Sequence, residues 1–191
     1  MGELILGTIA FILFMVYDLE QAGAVSHRFH KMTKFFFTIG FVLLCAATIS
    51  LLREEVSFSM VGKQIVFLIL AVVFLLLLVY TLFFALPFEE TYVAQDAYKT
   101  YDKKMYALCR HPGVLWFAGF YFCLWLAFGS GALLCMAVWF SSLNVAYIIL
   151  QDVYTFPRIF SDYGDYKKHV PFLFPNGKSL KHCLDTFKES R

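Results

Sequence analysis

The sequence predicts an all-α fold, a polytopic membrane helical bundle of about five transmembrane helices with a cytosolic amphipathic C-terminal segment. The first reason is composition: the 191 residues are 60% hydrophobic and 19% aromatic, whereas a soluble domain is about half apolar. The second is that apolar residues occur in runs of about 20, the length that a helix needs to cross a hydrocarbon core about 30 Å thick. The third is that the basic residues are concentrated in alternate connections between those runs, as in membrane proteins of fixed orientation.

Five apolar runs are predicted to span the membrane. They are residues 4–22, 35–52, 65–86, 113–128 and 131–150. The first run lacks the basic flank and small-residue cleavage site of a signal peptide, so it is predicted to be a true span. The fourth run is short, which predicts either that its helix begins earlier, within Arg110-His111-Pro112, or that it thins the local bilayer.

The last two predicted spans are joined by a very short connection. Only Gly129 and Ser130 separate the two apolar runs, so the helices are expected to be antiparallel neighbours. The start of one helix then lies beside the end of the other. We therefore expect Arg110 and His111 to lie at the same end of this helical hairpin as Asp152.

Residues 154–175 alternate aromatic and charged side chains after the last span. Such a segment is predicted to lie in the headgroup layer as an amphipathic helix. Residues 177–191 are polar and are predicted to form a mobile cytosolic tail. Because the chain shows no repeat, low-complexity segment or long linker, residues 1–176 are predicted to form a single transmembrane domain.

The distribution of Lys and Arg predicts the orientation. Three basic residues follow the first span, four lie between the third and fourth, seven follow the fifth, and only two lie between the second and third. Because basic loops stay in the cytoplasm, the N-terminus is expected outside and the C-terminus in the cytoplasm. The formal charge of +2 accordingly reflects topology and attraction to anionic lipids, and it indicates no nucleic-acid partner.

Arg110 and His111 are the polar residues at the start of the fourth predicted span. Their simplest role is that of interfacial anchors, with Pro112 as a first-turn helix residue. Asp18 and Glu20 lie near the end of the first span. They are expected either to be solvated at the membrane boundary or to turn inward toward a basic partner such as Arg110.

The cysteines and histidines indicate no metal site. The five cysteines show no CxxC spacing, and three of them fall inside predicted spans, which favours packing roles. Basic neighbours of Cys109 would lower the pKa of its thiol, so a reactive role is an alternative there, but packing is the expected role for this cysteine as well. The five histidines form no zinc-like grouping with Cys or acidic residues.

Two segments resemble a known family when they are taken together. Tyr106-x-x-x-Arg110-His111-Pro112 precedes the helical hairpin. The second segment follows the hairpin and reads Tyr163-Gly164-Asp165-Tyr166-x-x-x-Val170-Pro171-x-x-x-Pro175. In order and spacing, residues 100–176 resemble the C-terminal half of the isoprenylcysteine carboxyl methyltransferases and the related phospholipid N-methyltransferases, which are integral membrane enzymes. The resemblance implies S-adenosylmethionine as the cofactor and a lipid-like, lipid-linked or other membrane-embedded methyl acceptor.

The resemblance also implies roles for individual residues. It assigns cofactor binding to Tyr106, His111, Pro112, Tyr166, Val170 and Pro171. It implies catalytic roles in orientation and charge balance for Arg110 and Asp152, with Arg110 holding either an anionic acceptor or the cofactor carboxylate through paired hydrogen bonds. The family's adjacent glutamates are absent at their expected spacing, since Thr155 stands nine residues before Gly164. Asp152 is the remaining carboxylate near that place.

Two alternatives remain open. Membrane sterol reductases share a similar terminal pattern of aromatic residues with a closing proline, and four lysines would suit the 2′-phosphate of their cofactor, NADPH. These are Lys103, Lys104, Lys167 and Lys168. The other alternative is a noncatalytic protein of the same fold that binds lipids or a partner, which the missing glutamate pair favours. Membrane lipids are expected partners in every case.

Overall fold

The computed structural model describes residues 1–23, 33, 35–55, 62–85 and 99–189. Within these ranges the chain is helical and contains no β-strand. In chain order the α-helices are α1 (Gly2–Gln21), α2 (Phe36–Glu55), α3 (Gly62–Val79), α4 (Met105–Leu108), α5 (Pro112–Phe128), α6 (Gly131–Leu150), α7 (Phe156–Ile159), α8 (Tyr163–His169) and α9 (Gly177–Glu189).

The all-α fold is confirmed, and four helices in the described part of the chain are long and apolar enough to cross a membrane. They are Gly2–Gln21, Phe36–Glu55, Gly62–Phe84 and Gly131–Ile159. The fourth predicted span is α5, a shorter apolar helix of 17 residues. It begins at Pro112 and does not extend back through the basic residues, because His111 is its nonhelical N-cap and Cys109 has an extended backbone.

α5 and α6 form the antiparallel hairpin that the short connection predicts. α5 ends at Phe128, and Gly129 follows with a φ of 69°, a left-handed conformation that favours glycine. The Gly129 N–H donates to the Trp125 carbonyl at 2.7 Å. The Ser130 hydroxyl donates to the Glu55 carboxylate at 2.5 Å, which ties this turn to the end of α2. The hairpin and its tight turn are therefore confirmed.

The core of the bundle lies between the five long helices. α1 contacts α2 and α6, while α5 contacts α3 and α6. Aromatic rings fill the centre, where Phe11 meets Phe117 edge-on with ring centroids 5.9 Å apart. Small residues permit close helix contacts, as a Cβ atom at Gly7 would collide with Phe140. Close packing at small residues is how membrane helices associate when lipid is as apolar as their side chains.

Two of the long helices end in π-helical turns. α3 continues into Tyr80–Phe84, and α6 continues into Gln151–Thr155. A π-turn adds a residue to the helical repeat and so changes the direction of the side chains that follow; such turns are frequent at functional sites. Each turn carries one buried polar residue that is used in the site described below, Thr81 in the first and Asp152 in the second. We call the end of the bundle that holds both turns the site end.

Residues 154–175 do not form the single interfacial helix that their alternating pattern predicts. α7 continues α6 as far as Ile159, α8 follows as a separate helix, and residues 170–176 are not helical. Tyr163 and Tyr166 are buried inside the protein. Their rings therefore pack against the protein instead of lying in the headgroup layer.

The expected mobile tail is an α-helix in residues Gly177–Glu189. This helix, α9, packs against α4. The Lys104 N–H donates to the Thr186 hydroxyl at 2.9 Å, and Cys183 is buried between the two helices. The segment is polar in composition because only one of its faces is apolar.

Candidate functional site

Asp152 lies at the centre of a buried polar cluster at the site end. α6 has 20 residues, which is about 30 Å of helix. Asp152 is the second residue after it, so the carboxylate lies about where a hydrocarbon core 30 Å thick would stop. The Asp152 side chain is 7% exposed. A charge so well covered must be balanced by its neighbours.

Four side chains converge on the Asp152 carboxylate. Oδ1 accepts a hydrogen bond from the Tyr163 hydroxyl at 2.7 Å, and it lies 2.8 Å from Arg110 Nη1 and 3.4 Å from His111 Nε2. Oδ2 lies 2.8 Å from Lys167 Nζ, which also donates to the Asp152 carbonyl at 3.1 Å. We call these five residues the Asp152 cluster. The expectation that Arg110 and His111 lie at the same end of the hairpin as Asp152 is confirmed, and both residues contact its carboxylate.

Arg110 is buried and keeps unused hydrogen-bond donors. Its side chain is 10% exposed, and the guanidinium carbon lies 5.3 Å from the centre of the Phe172 ring. Its backbone N–H donates to the Pro171 carbonyl at 2.9 Å. Nε has no hydrogen-bond acceptor among the described residues, and Nη1 meets Asp152 as an ion pair without the alignment of a hydrogen bond. Buried arginine donors of this kind suit an oxygen atom of a ligand.

His111 is held between two aromatic rings at the start of α5. Its ring stacks on Phe156 with centroids 5.8 Å apart and an interplanar angle of 12°, and it meets Phe172 edge-on at 5.3 Å. Burial lowers the pKa of His111 from its usual 6.5, an effect that Asp152 partly offsets. The imidazole is therefore neutral at neutral pH, and the contact with Asp152 favours the tautomer with the proton on Nε2.

Tyr106 and Tyr166 belong to the frame of the cluster, by which we mean the residues that hold the elements around it together. The Tyr166 hydroxyl donates to the Tyr106 carbonyl at 2.7 Å. The Tyr106 hydroxyl in turn donates to the Thr81 carbonyl at 3.0 Å, while the Thr81 hydroxyl accepts from Trp116 Nε1 at 3.1 Å. Both tyrosine hydroxyls thus join protein elements to one another. Because the hydroxyl protons are used in this way, a ligand can contact these residues through their rings or through the hydroxyl oxygens as acceptors.

The same frame also includes Val170, Pro171 and Pro112. Val170 is buried, and its N–H donates to the Tyr166 carbonyl at 3.1 Å. Pro171 holds the Arg110 backbone through its carbonyl. Pro112 is the fully buried first residue of α5, where the missing N–H of proline costs nothing. The two resembling segments are therefore brought into direct contact.

Tyr163 and Lys167 are members of the cluster that the sequence did not reveal as such. They are four residues apart on α8, so both lie on the same helical face. Burial and the hydrogen bond to Asp152 raise the pKa of Tyr163, which keeps its hydroxyl a donor. Lys167 is 36% exposed. The spacing of the two residues in the sequence indicates only that they share one helical face, and it does not link them to Asp152.

Cys109 is not the activated thiol that its basic neighbours suggest. It is buried, and burial raises the pKa of its thiol to about 12. The adjacent Arg110 forms its ion pair with Asp152 and not with the Cys109 thiol. A thiol that stays protonated is a poor nucleophile, so Cys109 has a packing role.

Asp18 turns inward, which is one of the two expected outcomes, but its partner is not Arg110. Gln151 Nε2 donates to Asp18 Oδ2 at 2.7 Å, and Glu20 is also buried. Gln151 directly precedes Asp152 in the π-turn. α1 therefore braces the turn that carries the central carboxylate.

The cluster holds more positive than negative charge. Arg110 and Lys167 face one carboxylate, and His111 is neutral. Lys167 shares its charge with water, whereas Arg110 is buried. A buried cation needs an anionic partner, and the planar guanidinium matches carboxylates and phosphates well. The site suits a ligand with an anionic group near Arg110 and an aromatic or apolar group near Phe156 and Phe172.

Comparisons of the chain with protein-family models, with curated proteins and with solved structures find no match.

Proposed function

We propose that the protein is an integral membrane methyltransferase that binds S-adenosylmethionine at the Asp152 cluster and methylates a lipid, isoprenoid-linked or other membrane-embedded acceptor. When bound, S-adenosylmethionine supplies an electrophilic methyl group on a sulfonium, which the acceptor nucleophile takes by in-line displacement. The main task of the protein in such a reaction is to hold the two reactants in line in a site with little water.

The observation that carries the proposal is the buried Arg110 guanidinium, whose donors the protein uses incompletely: Nε has no acceptor among the described residues, and Nη1 is ion-paired with Asp152 without a well-aligned hydrogen bond. A carboxylate such as that of the methionine part of the cofactor offers acceptors to these donors, and charge-assisted hydrogen bonds of this type are strong. The same anion balances the excess positive charge that Asp152 alone leaves. The donor set of the site therefore fits the cofactor that the sequence resemblance implies.

The aromatic neighbours of the cluster fit the remaining parts of the cofactor. His111, Phe156 and Phe172 present flat apolar surfaces beside the charged groups. Such surfaces stack on a planar base and attract a cation such as a sulfonium. Asp152 places a negative charge in the same region, which also favours a positively charged centre.

The location of the cluster fits an acceptor that stays in the membrane. Asp152 lies at the end of a long apolar helix, and the frame around it includes α8 and residues 170–176, which follow the last span. Seven basic residues follow that span, so we infer that the site end faces the cytoplasm. A polar cofactor then enters from the cytoplasm, and an apolar acceptor enters from the bilayer.

The reductase alternative is less well supported, because two of its four lysines are paired within the chain. Lys167 contacts Asp152 at 2.8 Å, and Lys168 contacts Asp165 at 2.7 Å. These carboxylates reduce the positive charge that is left for the 2′-phosphate of NADPH. A carboxylate is enough to pair with Arg110, so this part of the site does not require a phosphate.

Ligand-induced stabilisation of the detergent-solubilised protein tests the proposal. S-adenosylmethionine and its demethylated product, S-adenosylhomocysteine, should each raise the free energy of unfolding by about 2.7 kcal/mol at a ligand concentration 100-fold above the dissociation constant. Arg110→Lys keeps the charge but removes the planar donor set, so it should lose most of this stabilisation. Arg158→Lys is the matched control, because that guanidinium lies over the Tyr154 ring outside the cluster.

Each outcome bears on the assignment. Stabilisation by the two adenosyl ligands, lost in the Arg110 variant and kept in the Arg158 variant, supports the methyltransferase. Stabilisation by NADPH alone would move the assignment to a reductase. No stabilisation by any of the three ligands, in a protein that unfolds cooperatively, would favour the noncatalytic alternative and overturn the proposal.

A further inference from the structure

α9 has an apolar edge that the protein does not cover. Ser179, Cys183 and Thr186 form its inner face and are buried. At about 100° per residue, Leu180 and Leu184 lie next to this face on one side of the helix. They are 50% and 54% exposed. The apolar side of α9 is thus wider than its contact with the rest of the protein.

The inner face of α9 fixes the depth of the helix relative to the membrane spans. Cys183 packs in one cluster with Leu108, and the Trp116 ring lies against the same cluster. Trp116 is in the second turn of α5, about 6 Å from the start of that helix. Its indole donates to Thr81, which is near the end of the third span. α9 therefore lies level with the ends of two membrane helices, where headgroups meet acyl chains.

Basic residues flank the exposed leucines on the side away from the inner face. By the helical repeat, Lys181 and Lys188 are the next positions around the helix after Leu184. Lys181 is exposed, and the Lys188 side chain is 80% exposed, with only a 4.0 Å contact to Asp185. Leucines at the acyl boundary with lysines reaching to the headgroups are the pattern of an interfacial helix.

We propose that α9 is a lipid-binding helix that inserts Leu180 and Leu184 into the adjacent leaflet and holds anionic phospholipid headgroups with Lys181 and Lys188. The contact of α9 with Trp116 places the helix at the depth where Leu180 and Leu184 meet acyl chains. The lysines favour phosphatidylglycerol or phosphatidylserine over neutral lipids. This inference does not depend on methyl transfer, because it concerns a surface outside the Asp152 cluster.

Spin labels on the full-length protein in lipid nanodiscs test the depth of the helix. Leu184→Cys and Asp185→Cys are made in a background with Cys45→Ala and Cys135→Ala, since those two native thiols are exposed. Collisions with oxygen should predominate at position 184, and collisions with a water-soluble nickel complex at position 185. The background protein without a new cysteine measures any labelling of the buried thiols. If the nickel complex reaches both positions equally, α9 faces water and the proposal is wrong.

Lipid composition tests the headgroup preference. The label at position 184 should lie deeper in nanodiscs of phosphatidylcholine mixed with phosphatidylglycerol than in phosphatidylcholine alone. Lys181→Gln combined with Lys188→Gln should remove this difference. Arg158→Gln combined with Lys168→Gln is the control, because it removes the same two charges from exposed residues outside α9 and should leave the difference intact. A difference that survives the double substitution, or that was absent from the start, would overturn the role of the two lysines.

Discussion

Replacing Asp152 with Asn tests the charge balance of the cluster at its centre. The carboxylate is buried and lies 2.8 Å from both Arg110 and Lys167. Asn keeps the size of the side chain but removes the charge, so Arg110 becomes a buried cation without a counter-ion. Removing one partner of a buried pair costs about 3–5 kcal/mol. Lys167 is 36% exposed and regains water, so we expect a loss at the low end, about 3 kcal/mol.

The assay is reversible unfolding of the full-length protein in a mild detergent or in bicelles, with the free energy of unfolding compared between variants. Asp165→Asn is the control, because Asp165 is exposed and pairs with Lys168 at the surface of α8; the stability of this variant should match that of the unchanged protein. Lys167→Gln combined with Asp152→Asn should cost less than the sum of the single changes, since the two residues share one contact. An Asp152→Asn protein as stable as the unchanged chain would refute the reasoning.

Three further predictions concern packing, backbone strain and pH. Gly119→Leu should destabilise the bundle by about 1–3 kcal/mol, because a Cβ there already meets Phe74 at 2.7 Å, whereas Gly113→Ala should be tolerated at an ordinary contact distance of 3.6 Å; unfolding of the two variants measures the contrast. Lys104→Gly should stabilise the protein by relieving a φ of 54°, a conformation that costs a non-glycine residue about 1 kcal/mol or more, and a lower melting temperature would contradict this. Because burial lowers the pKa of His111, the unfolded chain binds more protons once the pH falls below about 6.5, so stability should drop there, and His111→Gln should lessen that drop between about pH 7.5 and pH 5.5 in unfolding measurements.

The meeting of Arg110 and His111 with Asp152 was predictable because it depends on one short connection. Two residues, Gly129 and Ser130, leave no path other than a tight turn, and helices of similar length then align their ends. Neither residue type nor side-chain detail enters that argument. Apolar run length likewise predicted the helical spans, since backbone groups in hydrocarbon must be satisfied within the helix.

The other two cluster members could not be reached in this way. Asp152 lies in a π-turn, and the change of direction that this turn imposes on α7 is not visible in an apolar pattern that assumes a uniform repeat. The alternating aromatic residues after the last span therefore predict one interfacial helix, which the structure does not contain. The actual break before α8 turns Tyr163 and Lys167 toward Asp152. Their burial decides the site, and burial is a property of tertiary packing.

α9 is a second element that the sequence pattern did not predict. The Asn176 side chain accepts the Ser179 N–H at 2.9 Å, an N-cap that the sequence contains and that marks the start of a helix. The prediction of a tail was based on the average polarity of residues 177–191, and a helix with one apolar face is polar on average.

A single carboxylate joins three elements that are distant in the sequence. Asp152 at the end of α6 holds Arg110 before α5 and both Tyr163 and Lys167 on α8. The contact between Arg110 and the Pro171 carbonyl then places the segment after α8 over the start of α5. The contacts that enclose the site are therefore the same contacts that hold this end of the fold together. If a ligand anion binds Arg110 as proposed, it adds to a junction that is already structural. Ligand binding should then stabilise α8 against local opening more than it stabilises α2, which contributes no residue to the cluster.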